Sequence, residues 1–174
     1  MKLLFWGLLF SLLDWKVTIG SMLVEILPDF IGYFLMMKGL ESLQEESAHF
    51  EKVRHWSFGM VVWGITAWAT DLLGVIGMDP VGDWAMMLIE EIVGLIIVWM
   101  VVAGIRDLEC RTHIQLGGDI LKTVWFIVAV IFGLYHLVSW MPMLGTVCNV
   151  ARWIIGICFL AAFFRSKKRY NEEM

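Results

Sequence analysis

The chain has 174 residues, of which 60% are hydrophobic and 17% charged, with 10 Trp and a mean hydropathy of +0.77. A water-soluble domain of this size lacks the interior for so much apolar surface, so the composition excludes an ordinary soluble protein and points to one helical domain in a bilayer. The formal net charge of -4 says nothing of a partner, because in such a chain the placement of Lys and Arg is what matters.

Residues 3–27 open with an apolar run that Asp14, Trp15 and Lys16 interrupt, and a second apolar stretch ends at Leu27. Pro suits the first position of a helix and disfavours helix in the residue before it, so a new helix is expected to start at Pro28 and to occupy 28–43. Lys2 followed by an apolar run also fits a secretory signal peptide; no small-x-small cleavage site follows, so the segment is expected to remain. Residues 41–55, with Glu41, Glu45, Glu46 and Phe50, read as a cytoplasmic amphipathic extension.

Four full spans are then expected at 56–78, 84–105, 120–141 and 147–164. Each has about the roughly 20 residues that, at about 1.5 Å apiece, cross about 30 Å of hydrocarbon. Their apolar runs are continuous, without the period-two alternation of barrel strands, so they are helices. Asp83 is placed to cap the helix after the outer turn at 78–83, and Gly117, Gly118 and Asp119 do the same on the inner side. Residues 142–146 form the last outer turn, and 165–174 a basic tail. The chain carries no internal repeat and no Gly-x-x-x-Gly face.

The expected architecture is an all-α integral membrane protein: a compact bundle of about six transmembrane helices, two short or broken N-terminal segments plus four full spans, in a single domain over 1–174. With Arg165, Lys167, Lys168 and Arg169 inside, alternation leaves only Lys16 and Arg152 of the 13 basic residues toward the outside. That makes a multi-pass protein of the cell membrane with both termini cytoplasmic. Trp84, Trp140 and Trp153 then fall near the outer boundary, and Trp56 and Trp125 near the inner one.

The run Leu27-Pro28-Asp29-Phe30-Ile31-Gly32-Tyr33, followed by Lys38-Gly39-Leu40, resembles a pattern near the N-terminus of a family of small, uncharacterised polytopic membrane proteins from bacteria. The resemblance covers residues 1–55 and implies a bacterial membrane protein with this motif just ahead of a cytoplasmic segment. It carries over no activity. Pro at a helix start with an acid in the first turn also suits the helix dipole on general grounds.

Ionisable residues inside the spans are the most informative feature, since charge in hydrocarbon costs several kcal/mol. Asp71, Glu90, His136 and Arg152 each fall roughly 8 to 11 Å below the outer surface, with Asp29 and Asp14 at a similar level. Glu91 is adjacent to Glu90 and points about 100° away on the helix, while Gly94 would let a neighbour approach. Asn149, Arg152 and Gly156 share one face, and Arg152 is the natural counter-ion of Asp71, Glu90 or Glu91. The break at Pro28 adds a helix N-terminus at depth, a device transporters use to hold anions. Such one-sided clustering is what a cavity open to the outside produces. Snorkelling, or an acid–arginine pair that fixes helix register, would explain the same residues without a ligand.

The candidate ligand-binding set is therefore Asp29, Asp71, Glu90, Glu91, His136, Asn149 and Arg152, with no catalytic residue and no metal site assigned. His136 with Glu90 or Glu91 lacks the i, i+3 or i, i+4 ligand pairing of a metal site. Cys110 and His113 share a basic loop, where chance proximity accounts for them, and Cys148 and Cys158 form no Cys-x-x-Cys. No cofactor is indicated. Neither a phosphate loop nor a nucleic-acid surface is present, and the basic tail suits anionic lipid. Three functions fit: a small-solute or ion binding and transport component with an outward-facing polar cluster; an accessory subunit of a larger membrane complex, docking through 41–55; and an intramembrane enzyme. By size and topology alone the first looks like the substrate-capturing subunits of energy-coupling-factor vitamin importers.

Overall fold

The computed structural model describes residues 1–12, 16–19, 22–25, 28–41, 43–72, 80–138 and 140–173. These form six α-helices and one short hairpin, in two compact units, Met1–Met100 and Val101–Met174.

The first unit opens with α1 (Lys2–Leu12), then β1 (Lys16–Ile19), β2 (Met22–Glu25) and α2 (Asp29–Leu40). Helix was expected through 3–27, and here the expectation is corrected. Val17, Thr18, Ile19 and Val24 are β-branched, and the two strands pair antiparallel, with Lys16 opposite Glu25 and Ile19 opposite Met22. Asp14 and Leu27 lie outside the described residues. α2 starts one residue later than expected: Pro28 stands extended at the N-cap (φ -60°, ψ 132°) and Asp29 occupies the first turn.

α1 and α2 pack antiparallel along glycines. A Cβ on Gly7 would stand 2.5 Å from Met36 Cγ and 2.7 Å from the Gly32 carbonyl oxygen, and one on Gly39 would strike the backbone of Leu4. Small residues let two backbones approach this closely, which is how helices associate where no water drives them together. Leu4, Leu8, Met36 and Leu40 are fully buried in that seam.

α3 (Ala48–Leu72) follows a turn in which Ser47 Oγ accepts from the His49 amide at 3.2 Å and Arg54 Nη1 donates to Gln44 Oε1 at 2.6 Å. It runs antiparallel to α2: a Cβ on Gly64 would meet Phe30 at 3.0 Å, and the Phe30 and Trp68 rings meet edge to face. Leu43, Phe50 and Val53 are buried in this unit. The apolar face of 41–55, expected to dock a partner, is thereby used internally, leaving Glu41, Glu45, Glu51 and Lys52 exposed.

α4 (Pro80–Thr112) and α6 (Pro142–Glu173) are longer than expected, while α5 (Gly118–Val138) starts two residues earlier and ends three earlier than expected. α4 begins at Pro80, so Asp83 falls inside the helix rather than at its cap. α6 takes in both the expected turn at 142–146 and most of the basic tail. The C-terminal part of α6 is held by the α4–α5 connection: the Ser166 hydroxyl donates to the Leu116 carbonyl at 2.5 Å and Arg169 Nη1 to that of Gln115 at 2.9 Å.

Within that connection the cap of α5 comes from the preceding helix. The Glu109 carboxylate accepts from the Gly117 amide at 2.6 Å and the Gly118 amide at 3.0 Å, while Asp119, the expected capping residue, is exposed and lies 3.4 Å from Arg106. Gly117 holds φ 87°, a left-handed conformation that favours glycine. The second unit buries Val101, Val102, Ile105, Leu121, Phe159 and Phe163.

Among the described residues, three helices are long and apolar enough to cross a membrane: Trp84–Thr112, Gly118–Val138 and Met143–Glu173. Only 11% of the most apolar stretch of α5 is buried, and Phe126, Val130, Leu134 and Leu137 stand exposed along it, as a lipid-facing helix requires. α3, expected to span at 56–78, is not among the three. Trp56, Trp63, Trp68, Thr66 and Thr70 dilute its apolar character, and residues 73–78 lie outside the described residues. Thr66 and Thr70 hydroxyls bond back to the Val62 and Ala67 carbonyls at 2.9 and 2.7 Å, which satisfies them without water.

Candidate functional site

The expected site residues divide between the two units. Asp29, Asp71, Glu90 and Glu91 belong to the first, and His136, Asn149 and Arg152 to the second.

In the first unit the organising group is a residue not expected in the site, Tyr33. It is one turn beyond Asp29 on α2, is 4% exposed, and its hydroxyl would lie 3.1 Å from a Cβ on Gly94 of α4. Asp29 and Glu90 both lie within electrostatic reach of that hydroxyl. The geometry follows from helical spacing twice over: Asp29 and Tyr33 are i, i+4 on α2, and Glu90 and Gly94 are i, i+4 on α4, so each pair shares a face. Gly94 was expected to admit a neighbour's backbone; what it admits is the phenol of Tyr33. The i, i+4 spacing of Asp29 and Tyr33 is the signal by which it could have been found.

Glu90 and Glu91 are each half-buried. Asp71 falls in the last turn of α3, and its side chain lies outside the description. The first turn of α2 meets α3 at Gly64, eight residues before Leu72, so the α2 N-terminus sits about 12 Å short of the end of α3. Strand register pairs Lys16 with Glu25, the ends of the two strands nearest α1 and α2 along the chain.

In the second unit Arg152 is held by aromatic faces. Its guanidinium carbon lies 4.1 Å from the Phe132 ring centroid and 4.6 Å from that of Tyr135, two residues at i, i+3 on α5. Such stacking is worth about 0.5 to 2 kcal/mol and supplies a half-buried cation with a favourable surface. His136 meets Tyr135 edge to face at 5.5 Å. Of the expected polar stripe on α6, Gly156 is buried and Asn149 exposed, so the stripe turns from the interior to the surface along its length. Among the described residues no three His, Cys, Asp or Glu side chains gather as a metal site would require.

Among the described residues, fold and site together show three helices able to cross a membrane and, in the first unit, two acids within electrostatic reach of a buried phenol. No protein-family model, curated protein or solved structure matches the chain.

Proposed function

We propose that this is an integral membrane protein of six crossings, both ends cytoplasmic, which binds a small cationic or hydrogen-bonding solute at an outward-facing pocket built on Asp29, Glu90 and Tyr33. The observation that carries the reading is the buried Tyr33 hydroxyl against Gly94, with Asp29 and Glu90 within its electrostatic reach. Two carboxylates beside a neutral phenol offer acceptors and one donor, the chemistry that takes up a cation or an amine in place of its water. Asp71 and Glu91, of the same unit, belong to the same proposed polar layer.

The hairpin supports both the crossing number and the pocket. α1 is about 16 Å long and β1 about 13 Å, and α2 and β2 are of similar length, so each helix and its strand together contain about enough chain for one crossing. Each strand pairs on one edge with the other. The outer edges of such a hairpin are tolerated at membrane depth only beside protein or water, so extended chain there goes with a wet vestibule. The accessory-subunit alternative loses its docking face, since Leu43, Phe50 and Val53 are buried.

Thermal shift of the detergent-purified protein against a panel of monovalent cations, divalent cations and small amines tests the reading. A solute at about 100 times its Kd stabilises by about 2.7 kcal/mol. Asp29→Asn and Glu90→Gln are expected to abolish that ligand-dependent shift and leave the ligand-free midpoint nearly unchanged. Loss of stability without ligand in both variants, with rescue by an apolar double replacement, would make the acids structural and refute the assignment.

A further inference from the structure

The Tyr33 hydroxyl is a group in the first unit that the fold leaves unexplained. The side chain is 4% exposed, and among the described residues its hydroxyl meets no hydrogen-bond partner. A buried hydroxyl without a partner costs free energy, and it points to a ligand or a water that completes it. We propose that an N–H of a small primary ammonium ion completes it, so that the site selects an alkylammonium over metal cations and over quaternary ammonium. The proposal rests on the binding reading above and deepens it, from cationic or hydrogen-bonding solutes at large to one chemical class.

Donor and acceptor numbers select the occupant. An alkylammonium carries three N–H donors and no acceptor. Three oxygen-bearing side chains stand at the site: Asp29 and Tyr33 at i, i+4 on α2, and Glu90 one turn before Gly94 on α4. The two carboxylates, within electrostatic reach of the hydroxyl, supply the charge that a cation needs. A metal ion makes a poorer match. Calcium takes about six to eight oxygens and magnesium about six in strict octahedral geometry. Among the described residues no three His, Cys, Asp or Glu side chains gather to hold such an ion. A quaternary ammonium brings charge but no N–H, and it would leave the hydroxyl as unpartnered as it stands.

Two neighbours suit the same occupant. Gly94 keeps the hydroxyl approachable, since a Cβ there would stand 3.1 Å from it and crowd the phenol. Phe30, at i, i+3 from Tyr33, shares its face of α2 and meets the Trp68 ring edge to face, with centroids 6.2 Å apart. Those rings offer an apolar wall to a carbon substituent, which a bare ion lacks, and an aromatic face also attracts an organic cation.

Titration calorimetry of the detergent-purified protein with methylammonium, tetramethylammonium, potassium and magnesium tests this. The wild type is expected to bind methylammonium about tenfold more tightly than any of the other three. Tyr33→Phe is expected to weaken methylammonium about tenfold and so to level the preference. Its unfolding midpoint without ligand is expected to stay in place, because the hydroxyl gives up no bond to protein. Gly94→Ala, which crowds the hydroxyl while keeping it, is expected to weaken methylammonium in the same direction. A preference that survives Tyr33→Phe, or a lowered ligand-free midpoint in that variant, overturns the proposal. The two readings fail separately. If potassium or magnesium binds through Asp29 and Glu90 and methylammonium is not preferred, this inference falls and the binding site stands; if no cation or amine binds, both fall.

Discussion

The Glu109 cap is the interaction whose removal has the most definite consequence. Its carboxylate accepts from two backbone amides at the start of α5, 2.6 Å from Gly117 N and 3.0 Å from Gly118 N. Hydrogen bonds to a charged group contribute about 1.5 to 3 kcal/mol each, and a negative charge at a helix N-terminus adds about 0.3 to 1. Glu109 is only half-buried, so water recovers part of this, and Glu109→Ala is expected to cost about 2 to 3 kcal/mol in total. Gly118 is coupled to the same carboxylate, because a Cβ there would strike Glu109 and stand 2.5 Å from Arg106 Cγ. Gly118→Ala is therefore expected to destabilise strongly alone and much less in the Glu109→Ala background, an interaction energy of about 1 kcal/mol or more in a double-mutant cycle. Reversible unfolding in mixed detergent and denaturing micelles, followed by far-ultraviolet circular dichroism, measures each corner. Additive costs, or a Glu109→Ala loss below about 0.5 kcal/mol, would refute the cap as the determinant of where α5 begins.

Gly7 and Gly59 are expected to respond to alanine with opposite signs: Gly7→Ala meets Met36 and the Gly32 carbonyl and costs about 1 to 3 kcal/mol, whereas Gly59→Ala, in open space, gains about 0.5 to 1 from helix propensity, both read in the same unfolding assay. The hydrogen bond from Lys38 Nζ at 2.8 Å, helped by the charges of Lys38 and Arg54, holds the Glu41 carboxyl below its ordinary range. Its contribution is thus present above the unfolded-state value and lost as pH falls through the lower folded one; a carbon-detected NMR titration is expected to place its midpoint below that of a free glutamate and to move it back up in Lys38→Met, and an unmoved midpoint would disprove the pairing. For topology, cysteines introduced at Gly82 or Leu144 are expected to react with an impermeant reagent from outside and those at Glu45 or Gln115 not to; outside labelling of Gln115 reverses the proposed orientation.

What the sequence determined by itself is what depends on composition and on short-range spacing. Long uninterrupted apolar runs at 84–105, 120–141 and 147–164 give helices wherever they sit, because every backbone group is satisfied within the segment, and those three are the helices able to span. The faces shared by Asp29 with Tyr33, Glu90 with Gly94, and Phe132 with Tyr135 likewise follow from 3.6 residues per turn. The break ahead of Asp29 was legible in Pro28, which cannot continue a helix from Leu27.

Only the tertiary structure decided which of those faces meet. Lys16–Ile19 and Met22–Glu25 pair as strands although Val, Leu and Ile also suit a membrane helix, since strand pairing is a contact between segments that an apolar run does not announce. Glu109 rather than Asp119 caps α5, because the carboxylate that reaches the free amides is set by how the chain turns at Gly117. In the glycine seam, Gly32 and Gly39 share a face of α2 by their spacing of seven, but only antiparallel packing brings Gly7 of α1 against that face. Arg152 rests on the Phe132 and Tyr135 rings for the same reason: a charge in an apolar segment states that a partner is needed, and packing chooses which surface supplies it.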